Sequence, residues 1–130
     1  MKGDNIADRL LDFAVACLTM ATEIESSPVG KHIARQVTRS STSGGANYEE
    51  ARSAESSPDF VHKIGVAGKE VSETVNWLKV TDRAGIRTAV DLARWIDEGQ
   101  QLIRILRASA RTAKGQGVTL VTQTSEDGSE

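Results

Sequence analysis

Apolar side chains in the first 25 residues recur at alternating spacings of four and three positions. The stripe consists of Ile6, Leu10, Phe13, Cys17, Met20 and Ile24. This spacing places the side chains on one face of an α-helix. A second apolar row widens that face, as expected for a helix that touches two neighbours, and contains Leu11, Ala14, Leu18 and Ala21. The pattern predicts helix 1 over residues 4–25, with Asp4 or Asn5 as its N-cap.

The tripeptide Ser-Ser-Pro occurs at residues 26–28 and again at residues 56–58. In both places a serine can accept hydrogen bonds from the free N–H groups of a first helical turn, and proline fits the first helical position. We therefore predict helix 2 over residues 28–55 and helix 3 over residues 58–81. Gly44 and Gly45 lie inside helix 2, and the alternative is a break into two helices at that point. The glycine pair favours close packing of a neighbouring helix over a hinge.

Residues 88–91, Thr-Ala-Val-Asp, have the pattern of a capping box and predict the start of helix 4. Apolar rows continue to residue 113, and Gly115 suits the position just after a helix end. The remaining segment, residues 115–130, is polar and glycine-rich, which predicts a disordered tail.

Four helices with short connections predict an all-α fold, an antiparallel up-down-up-down four-helix bundle in residues 1–114. The apolar faces of helices 1 and 4 are wider than an isolated bundle requires. We therefore expect an outer row to pack against another subunit in a homo-oligomer, and the alternative is tight interleaving within one bundle.

The length of 130 residues corresponds to one domain, and 38% hydrophobic with 26% charged residues is typical of globular proteins. Cys17 is the only cysteine, which excludes an internal disulfide and fits a reducing compartment. No apolar run reaches the roughly 18–20 residues that cross a bilayer. The N-terminal stretch also lacks a signal-peptide core. These features predict a cytoplasmic protein that does not enter a membrane.

Polar side chains share one side of helix 2 at spacings of four, three, four and three residues: Gln36, Ser40, Ser43, Asn47 and Glu50. Glu70 and Glu73 lie together on helix 3, and Arg35 or Arg39 can supply a counter-charge. If these faces meet, the bundle carries a polar seam. The interpretation that we favour is a structural network or a subunit contact, and the alternative is a ligand or catalytic site. Neither histidine is spaced to activate one of the serines, so we predict no catalytic residues and no enzyme.

Four-helix bundles that bind two metal ions use two Glu-x-x-His motifs together with two further glutamates. This chain has one partial match, Asp59 to His62, and His32 has a valine at the corresponding position. We therefore predict no metal site and no cofactor.

Two rows of basic residues suggest an interaction with phosphates, although the net charge of the chain is −2. The first row, on helix 2, contains Lys31, Arg35 and Arg39, and the second, on helix 4, contains Arg104, Arg107, Arg111 and Lys114. We expect the start of helix 2 and the end of helix 4 to lie at the same end of the bundle and to form one positive zone. The alternative is ordinary solvated charge that compensates the helix dipoles.

The middle of the chain resembles the four-helix-bundle family of proteins encoded in 23S rRNA intervening sequences. The resemblance covers roughly residues 5–114 and is carried by Gln36, Arg39-Ser40, Ser43, Gly45-Ala46-Asn47-Tyr48, Glu50-Ala51, Ser56, Asp59-Phe60, Lys63, Lys69-Glu70, Glu73-Thr74 and Trp77-Leu78. It implies an antiparallel bundle that assembles as a ring-shaped homopentamer. A related branch contains the accessory protein of diversity-generating retroelements, which implies association with a reverse transcriptase and nucleic acid through basic surfaces.

These observations lead to two hypotheses. The first is a non-enzymatic homo-oligomeric scaffold or assembly protein. The second is an accessory protein that binds RNA or DNA through the two basic rows, with a reverse transcriptase as its protein partner. An enzyme that uses Glu50, Glu70 and Glu73 is the least favoured interpretation.

Overall fold

A computed structural model describes residues 3–125, with side chains described from residue 3 to residue 115. The described chain contains four α-helices and no β-strand: α1 (Asp4–Ile24), α2 (Pro28–Arg52), α3 (Ser57–Arg83) and α4 (Leu92–Ser125). The prediction of an all-α chain with four helices is therefore confirmed. α2 runs without a break through Gly44 and Gly45.

Serine caps begin α2 and α3, because each helix starts with backbone N–H groups that lack an intrahelical acceptor. Ser27 Oγ accepts a hydrogen bond from the Gly30 amide at 3.0 Å, and Pro28 follows at the first helical position. Ser56 Oγ accepts from the Asp59 amide at 3.2 Å, and Pro58 occupies the second helical position because α3 begins at Ser57. These caps lie where the two Ser-Ser-Pro tripeptides place them.

The start of α1 differs from its prediction. The N-cap position is Gly3, in a left-handed conformation with φ of 90°, and no side chain caps the helix. Asp4 lies in the first turn and bonds to Arg52 at the end of α2. The prediction that Asp4 or Asn5 is the N-cap is therefore wrong, because a glycine can adopt the positive φ that the chain requires at this entry.

α4 differs from the predicted helix at both ends. It begins at Leu92 rather than residue 88, because Asp91 is the residue whose Oδ1 accepts from the Arg94 amide, at 3.2 Å. The Thr88 hydroxyl instead binds Glu23 of α1. At the other end α4 continues to Ser125, through the segment predicted to be a disordered tail. Gly115 keeps a helical φ and therefore does not end the helix. Residues 126–130 of that predicted tail lie outside the described part of the chain.

The hydrophobic core lies between all four helices and receives the main stripe of α1. The largest fully buried side chains include Leu10, Phe13, Met20, Ile64, Leu78, Leu102 and Leu106. α2 packs extensively against α1 and α3, and α3 packs extensively against α4. α1 and α4 contact each other much less, and α2 does not pack against α4 within the described residues.

Two glycines allow the helices to approach closely. A Cβ atom at Gly44 of α2 would lie 3.0 Å from Val71 Cγ2 of α3. A Cβ atom at Gly99 of α4 would lie 2.4 Å from Val75 Cγ2 and 3.0 Å from Phe13 Cε1. Gly99 therefore leaves no room for a side chain, whereas Gly44 allows a tight contact with Val71, in agreement with the close packing predicted for Gly44.

Candidate functional site

The face between α2 and α3 carries the strongest cluster of charged side chains. Arg39 Nη1 donates to Glu70 Oε1 at 3.1 Å, and Arg39 Nη2 donates to Glu73 Oε2 at 2.5 Å. The hydrogen bond from Arg39 lowers the pKa of the Glu73 carboxyl below its ordinary value. The same two carboxylates raise the pKa of the Arg39 guanidinium. Arg39 therefore supplies the counter-charge for both glutamates, while Arg35 is exposed without an ionic partner among the described residues.

On the core side of this charged cluster, one hydroxyl group of α2 contacts one of α3. Ser40 Oγ of α2 lies 2.7 Å from Thr74 Oγ1 of α3, and neither residue is exposed. The Thr74 hydroxyl donates to the Glu70 carbonyl oxygen at 2.8 Å, so the Ser40 hydroxyl is the donor to Thr74. This arrangement satisfies both buried hydroxyls and joins the two helices at one register. Thr74 was not among the predicted network residues, although it follows Glu70 by one helical turn on the buried side of helix 3.

The remaining residues of the predicted network make local contacts instead of joining a single site. Glu50 Oε1 accepts from Lys63 Nζ at 2.5 Å, closer to the other end of the α2–α3 interface. The hydrogen bond with Glu50 raises the pKa of the Lys63 ammonium group. Asn47 Nδ2 donates to the Ser43 carbonyl oxygen at 2.9 Å, within α2 itself. Gln36 is half-buried and makes no hydrogen bond to the described residues.

The structure does not bring the two basic rows together. His32 at the start of α2 packs edge-on against Trp77 near the end of α3, with ring centroids 5.7 Å apart. Leu106 of α4 instead lies against Gly68 in the first half of α3. His32 and Leu106 therefore lie beside positions of α3 that are nine residues apart, which is roughly 14 Å along the helix axis.

The prediction of one combined positive zone is wrong for this geometric reason. His32, near the start of α2, lies beside the second half of α3, whereas Leu106 and Ala110 of α4 lie beside its first half. α2 and α4 are also not packed against each other in the part of the chain that is described. Two separate basic surfaces result, and the α2 surface is reduced to Lys31 and Arg35 because Arg39 is paired.

The basic row of α4 is exposed and borders the groove between α3 and α4. Arg104, Arg107, Arg111 and Lys114 make no ion pair with any described residue. Arg104 and Arg107 line one part of the groove together with Lys79 of α3. A second part, with a volume of about 490 Å³, is lined by Ile64, Gly65, Gly68, Lys69, Ser72, Glu73, Leu106, Arg107 and Ala110. We call this second part the α3/α4 trough.

α1 exposes apolar side chains on the side opposite the core. Leu11 and Val15 are each 61% exposed, and Leu18 is half-buried. The predicted second apolar row is thus divided, since Ala21 is buried and Leu11 faces outward. Val15 was not singled out in the sequence because it belongs to neither predicted row, although it follows Leu11 at helical spacing.

Residues that could bind a metal or act as a nucleophile are dispersed. Among residues 3–115, no group of three or more His, Cys, Asp or Glu side chains is placed to hold a metal ion. His62 is exposed, and His32 packs against Trp77. Burial raises the pKa of the Cys17 thiol to about 12, so the thiol stays protonated at neutral pH. No helix among the described residues is long and apolar enough to cross a membrane.

Comparison with known proteins identifies related sequences and a related structure. The family model described as 23S rRNA-intervening sequence protein matches residues 5–108. A solved structure of a protein with unknown function, from the S23 ribosomal protein family of Bacteroides thetaiotaomicron, is 29% identical with a TM-score of 0.76. The match covers 85% of this chain and 99% of that protein. No curated protein sequence matches this chain.

Proposed function

This chain belongs to the 23S rRNA-intervening sequence protein family, and on that basis we propose that it is a homo-oligomeric, non-enzymatic scaffold protein of the cytoplasm. The observation that carries the proposal is the outward apolar face of α1, where Leu11 and Val15 are each 61% exposed. Two neighbouring large apolar side chains on one helix face favour contact with another protein surface. Copies of the same chain are the commonest partners of such a surface.

The subunit that we propose for this assembly is an antiparallel up-down-up-down bundle. The ion pair between Asp4 and Arg52 joins the start of α1 to the end of α2. The ion pair between Glu50 and Lys63 joins the end of α2 to the first half of α3. Contacts between the start of one helix and the end of the next are those of antiparallel neighbours with short connections, and they support this arrangement. A ring of such subunits is the proposed oligomer.

The glutamates of the α2–α3 face support a structural role for the polar network. Glu70 and Glu73 bind Arg39, and Glu50 binds Lys63. All three carboxylates are thus held in ion pairs between α2 and α3, and the hydrogen bond from Arg39 lowers the pKa of Glu73. We therefore assign these residues to the alignment of α2 on α3 and not to catalysis.

The scaffold proposal is tested by the mass of the native chain in solution. Light scattering coupled to size-exclusion chromatography, repeated over a dilution series from high to low micromolar concentration, gives that mass. A mass several times that of one chain, retained on dilution, is the expected result. A monomer throughout the series would overturn the proposal.

A second candidate function is favoured by the unpaired basic row on α4. Arg104, Arg111 and Lys114 have no acidic partner among the described residues, so their charge is available to phosphates. We propose an RNA- or DNA-binding accessory role for this surface, with a reverse transcriptase as the associated protein. Lys31 and Arg35 on α2 provide a separate and smaller basic surface.

Fluorescence anisotropy with labelled single-stranded RNA and DNA at two salt concentrations tests this candidate. We expect affinity to fall as the salt concentration rises, because phosphate contacts release bound counterions. The double substitution Arg104→Glu with Arg111→Glu should abolish binding. Arg87→Glu with Lys114→Glu is a charge-matched comparison that retains all three arginines of the row and should weaken binding only partly. Absence of binding by the unaltered chain at low salt would exclude this role.

A further inference from the structure

The outward face of α1 combines apolar and acidic side chains. Leu11 and Val15 form its exposed apolar part. Asp8 and Asp12, also four residues apart, lie beside them on the same helix and are exposed. Neither carboxylate forms an ion pair with a described residue. A surface that docks on this face must therefore supply both an apolar recess and positive charge.

The α3/α4 trough has these two properties. Gly65, Gly68, Leu106 and Ala110 contribute its apolar part, and a Cβ atom added at Gly65 would meet no atom within 4 Å. Lys69 and Arg107 are exposed members of its lining and have no ionic partner among residues 3–115. The trough also includes Glu73, but Arg39 balances that carboxylate at 2.5 Å. The trough is thus open, partly apolar and positively charged.

We infer that the outward face of α1 in one copy of the chain docks in the α3/α4 trough of the next copy. Leu11 and Val15 enter the space above Gly65 and Gly68, and Asp8 and Asp12 approach Lys69 and Arg107. This inference rests on the proposed homo-oligomer and identifies the two surfaces that form its interface.

The two surfaces lie on different parts of the subunit, because α1 packs against α2 and α4 but not against α3 in the described chain. The contact is therefore heterologous, with a different surface contributed by each copy. A repeated heterologous contact produces a ring when the rotation closes and a filament when it does not. It cannot produce a two-fold symmetric dimer through α1 alone. Two acidic α1 faces would also repel each other across such a dimer.

Paired valine substitutions test the α1 side of the interface in the full-length chain. Val15→Glu places a third carboxylate on the outward face of α1 and should reduce the mass by light scattering to that of a monomer. Val29→Glu is the matched control, because Val29 is 63% exposed and Val15 is 61% exposed, but Val29 lies at the start of α2. This control should keep the mass of the unaltered chain. Far-UV circular dichroism and the thermal midpoint should show that both variants are folded.

Charge exchange tests the trough side and its pairing with α1. Asp8→Lys with Asp12→Lys should dissociate the oligomer, and so should Lys69→Glu with Arg107→Glu. The chain that carries all four substitutions exchanges the charges on both surfaces and should recover the original mass. Recovery would not occur if these positions acted only on the stability of the separate subunits.

The outcomes separate this inference from the proposed function. A monomeric unaltered chain would overturn the homo-oligomer and the interface together. A stable oligomer that survives Val15→Glu, or that the fourfold exchange fails to restore, would overturn the interface and leave the homo-oligomer intact. Loss of mass on nuclease treatment would show that nucleic acid and not the acidic α1 face occupies the basic surface, and would also overturn the inference.

Discussion

Arg9 of α1 and Glu98 of α4 form a two-pronged ion pair across the least extensively packed pair of neighbouring helices. Arg9 Nε donates to Glu98 Oε2 at 2.8 Å, and Arg9 Nη2 donates to Glu98 Oε1 at 2.8 Å. The Arg9 side chain is 27% exposed and the Glu98 side chain 21%. Since α1 and α4 share few other contacts, this pair is the main polar connection that fixes their relative position.

We expect Glu98→Gln to lower the free energy of unfolding by about 1 kcal/mol at neutral pH, because this pair is partly buried and has two-pronged geometry. The hydrogen bond from Arg9 lowers the pKa of Glu98 from its ordinary value of 4.5. The ionised form is therefore stabilised by folding, and the contribution is fully present above pH 4.5 and is lost as the pH falls through the folded pKa.

Urea titrations between neutral and acidic pH, at one fixed protein concentration, would measure this difference. The unaltered chain and Glu98→Gln should converge in stability at low pH. Glu55→Gln, which removes an exposed carboxylate without an ionic partner in the described residues, serves as the control and should change little. If the free energies of unfolding of the unaltered chain and Glu98→Gln differed by the same amount at every pH, the ionised Glu98 carboxylate would not be the source of the difference.

Gly99→Ala should destabilise the bundle, because the added methyl group would lie 2.4 Å from Val75 Cγ2 and 3.0 Å from Phe13 Cε1. Forcing one extra carbon into a packed core costs about 1–3 kcal/mol. Gly115→Ala is the matched control on the same helix, since a Cβ there meets no atom within 4 Å, and it should be neutral or slightly stabilising. Thermal unfolding monitored by circular dichroism compares the two variants. Equal midpoints for Gly99→Ala and Gly115→Ala would contradict the close packing of Val75 and Phe13 against Gly99.

Ser40 and Thr74 should behave as a coupled pair in a double-mutant cycle. Thr74→Val leaves the Ser40 hydroxyl buried without its acceptor, which costs about 1–3 kcal/mol. Ser40→Ala should cost less, because the Thr74 hydroxyl still donates to the Glu70 carbonyl oxygen. The double substitution should cost less than the sum of the two single changes. Strict additivity in denaturant unfolding would show that the two hydroxyls do not interact.

Ser41→Ala should raise stability. The Ser41 hydroxyl is the one buried side-chain polar atom in the described residues that has no hydrogen-bond partner. Replacing it removes the desolvation penalty of an unsatisfied hydroxyl, which is about 1 kcal/mol or more. Ser43→Ala is the control, because Ser43 Oγ accepts a hydrogen bond from Asn47 Nδ2 at 3.1 Å. Removing this hydroxyl should not raise the stability of the protein. A lower thermal midpoint for Ser41→Ala would contradict the prediction and indicate a bound water molecule.

Features that depend on neighbouring residues were predictable from the sequence. Ser27 and Ser56 each accept a hydrogen bond from the amide three positions later, and each lies one or two residues before a proline, so the tripeptide indicates both helix starts. The stripe of α1 was equally visible, because a helical period decides which side chains are buried. The start of α4 could not be predicted from neighbouring residues. Glu23 of the distant α1 binds the Thr88 hydroxyl, and Asp91 caps the helix instead.

Features that depend on how the helices are assembled were predictable only in part. The sequence offered Arg35 or Arg39 as the counter-charge of Glu70 and Glu73, and in the structure Arg39 is the one that binds them. It could not show that Thr74 is the partner of Ser40, because several hydroxyls lie at similar spacings. The two basic rows were assigned to one end of the molecule, whereas His32 of α2 lies against Trp77 in the second half of α3 and Leu106 of α4 lies against Gly68 in its first half. The exposed Val15 is recognisable only when the core face of α1 is known.

The uneven packing of the helices has a consequence for the order of folding. α2 and α3 are joined by a short connection, begin at serine caps and share the most extensive helix interface, so they can form a hairpin early with little loss of chain entropy. Arg9 and Glu98 are 89 residues apart in sequence and can meet only when both outer helices have docked on that hairpin. We therefore expect substitutions at Ser40 and Thr74 to slow folding, and substitutions at Arg9 and Glu98 to accelerate unfolding.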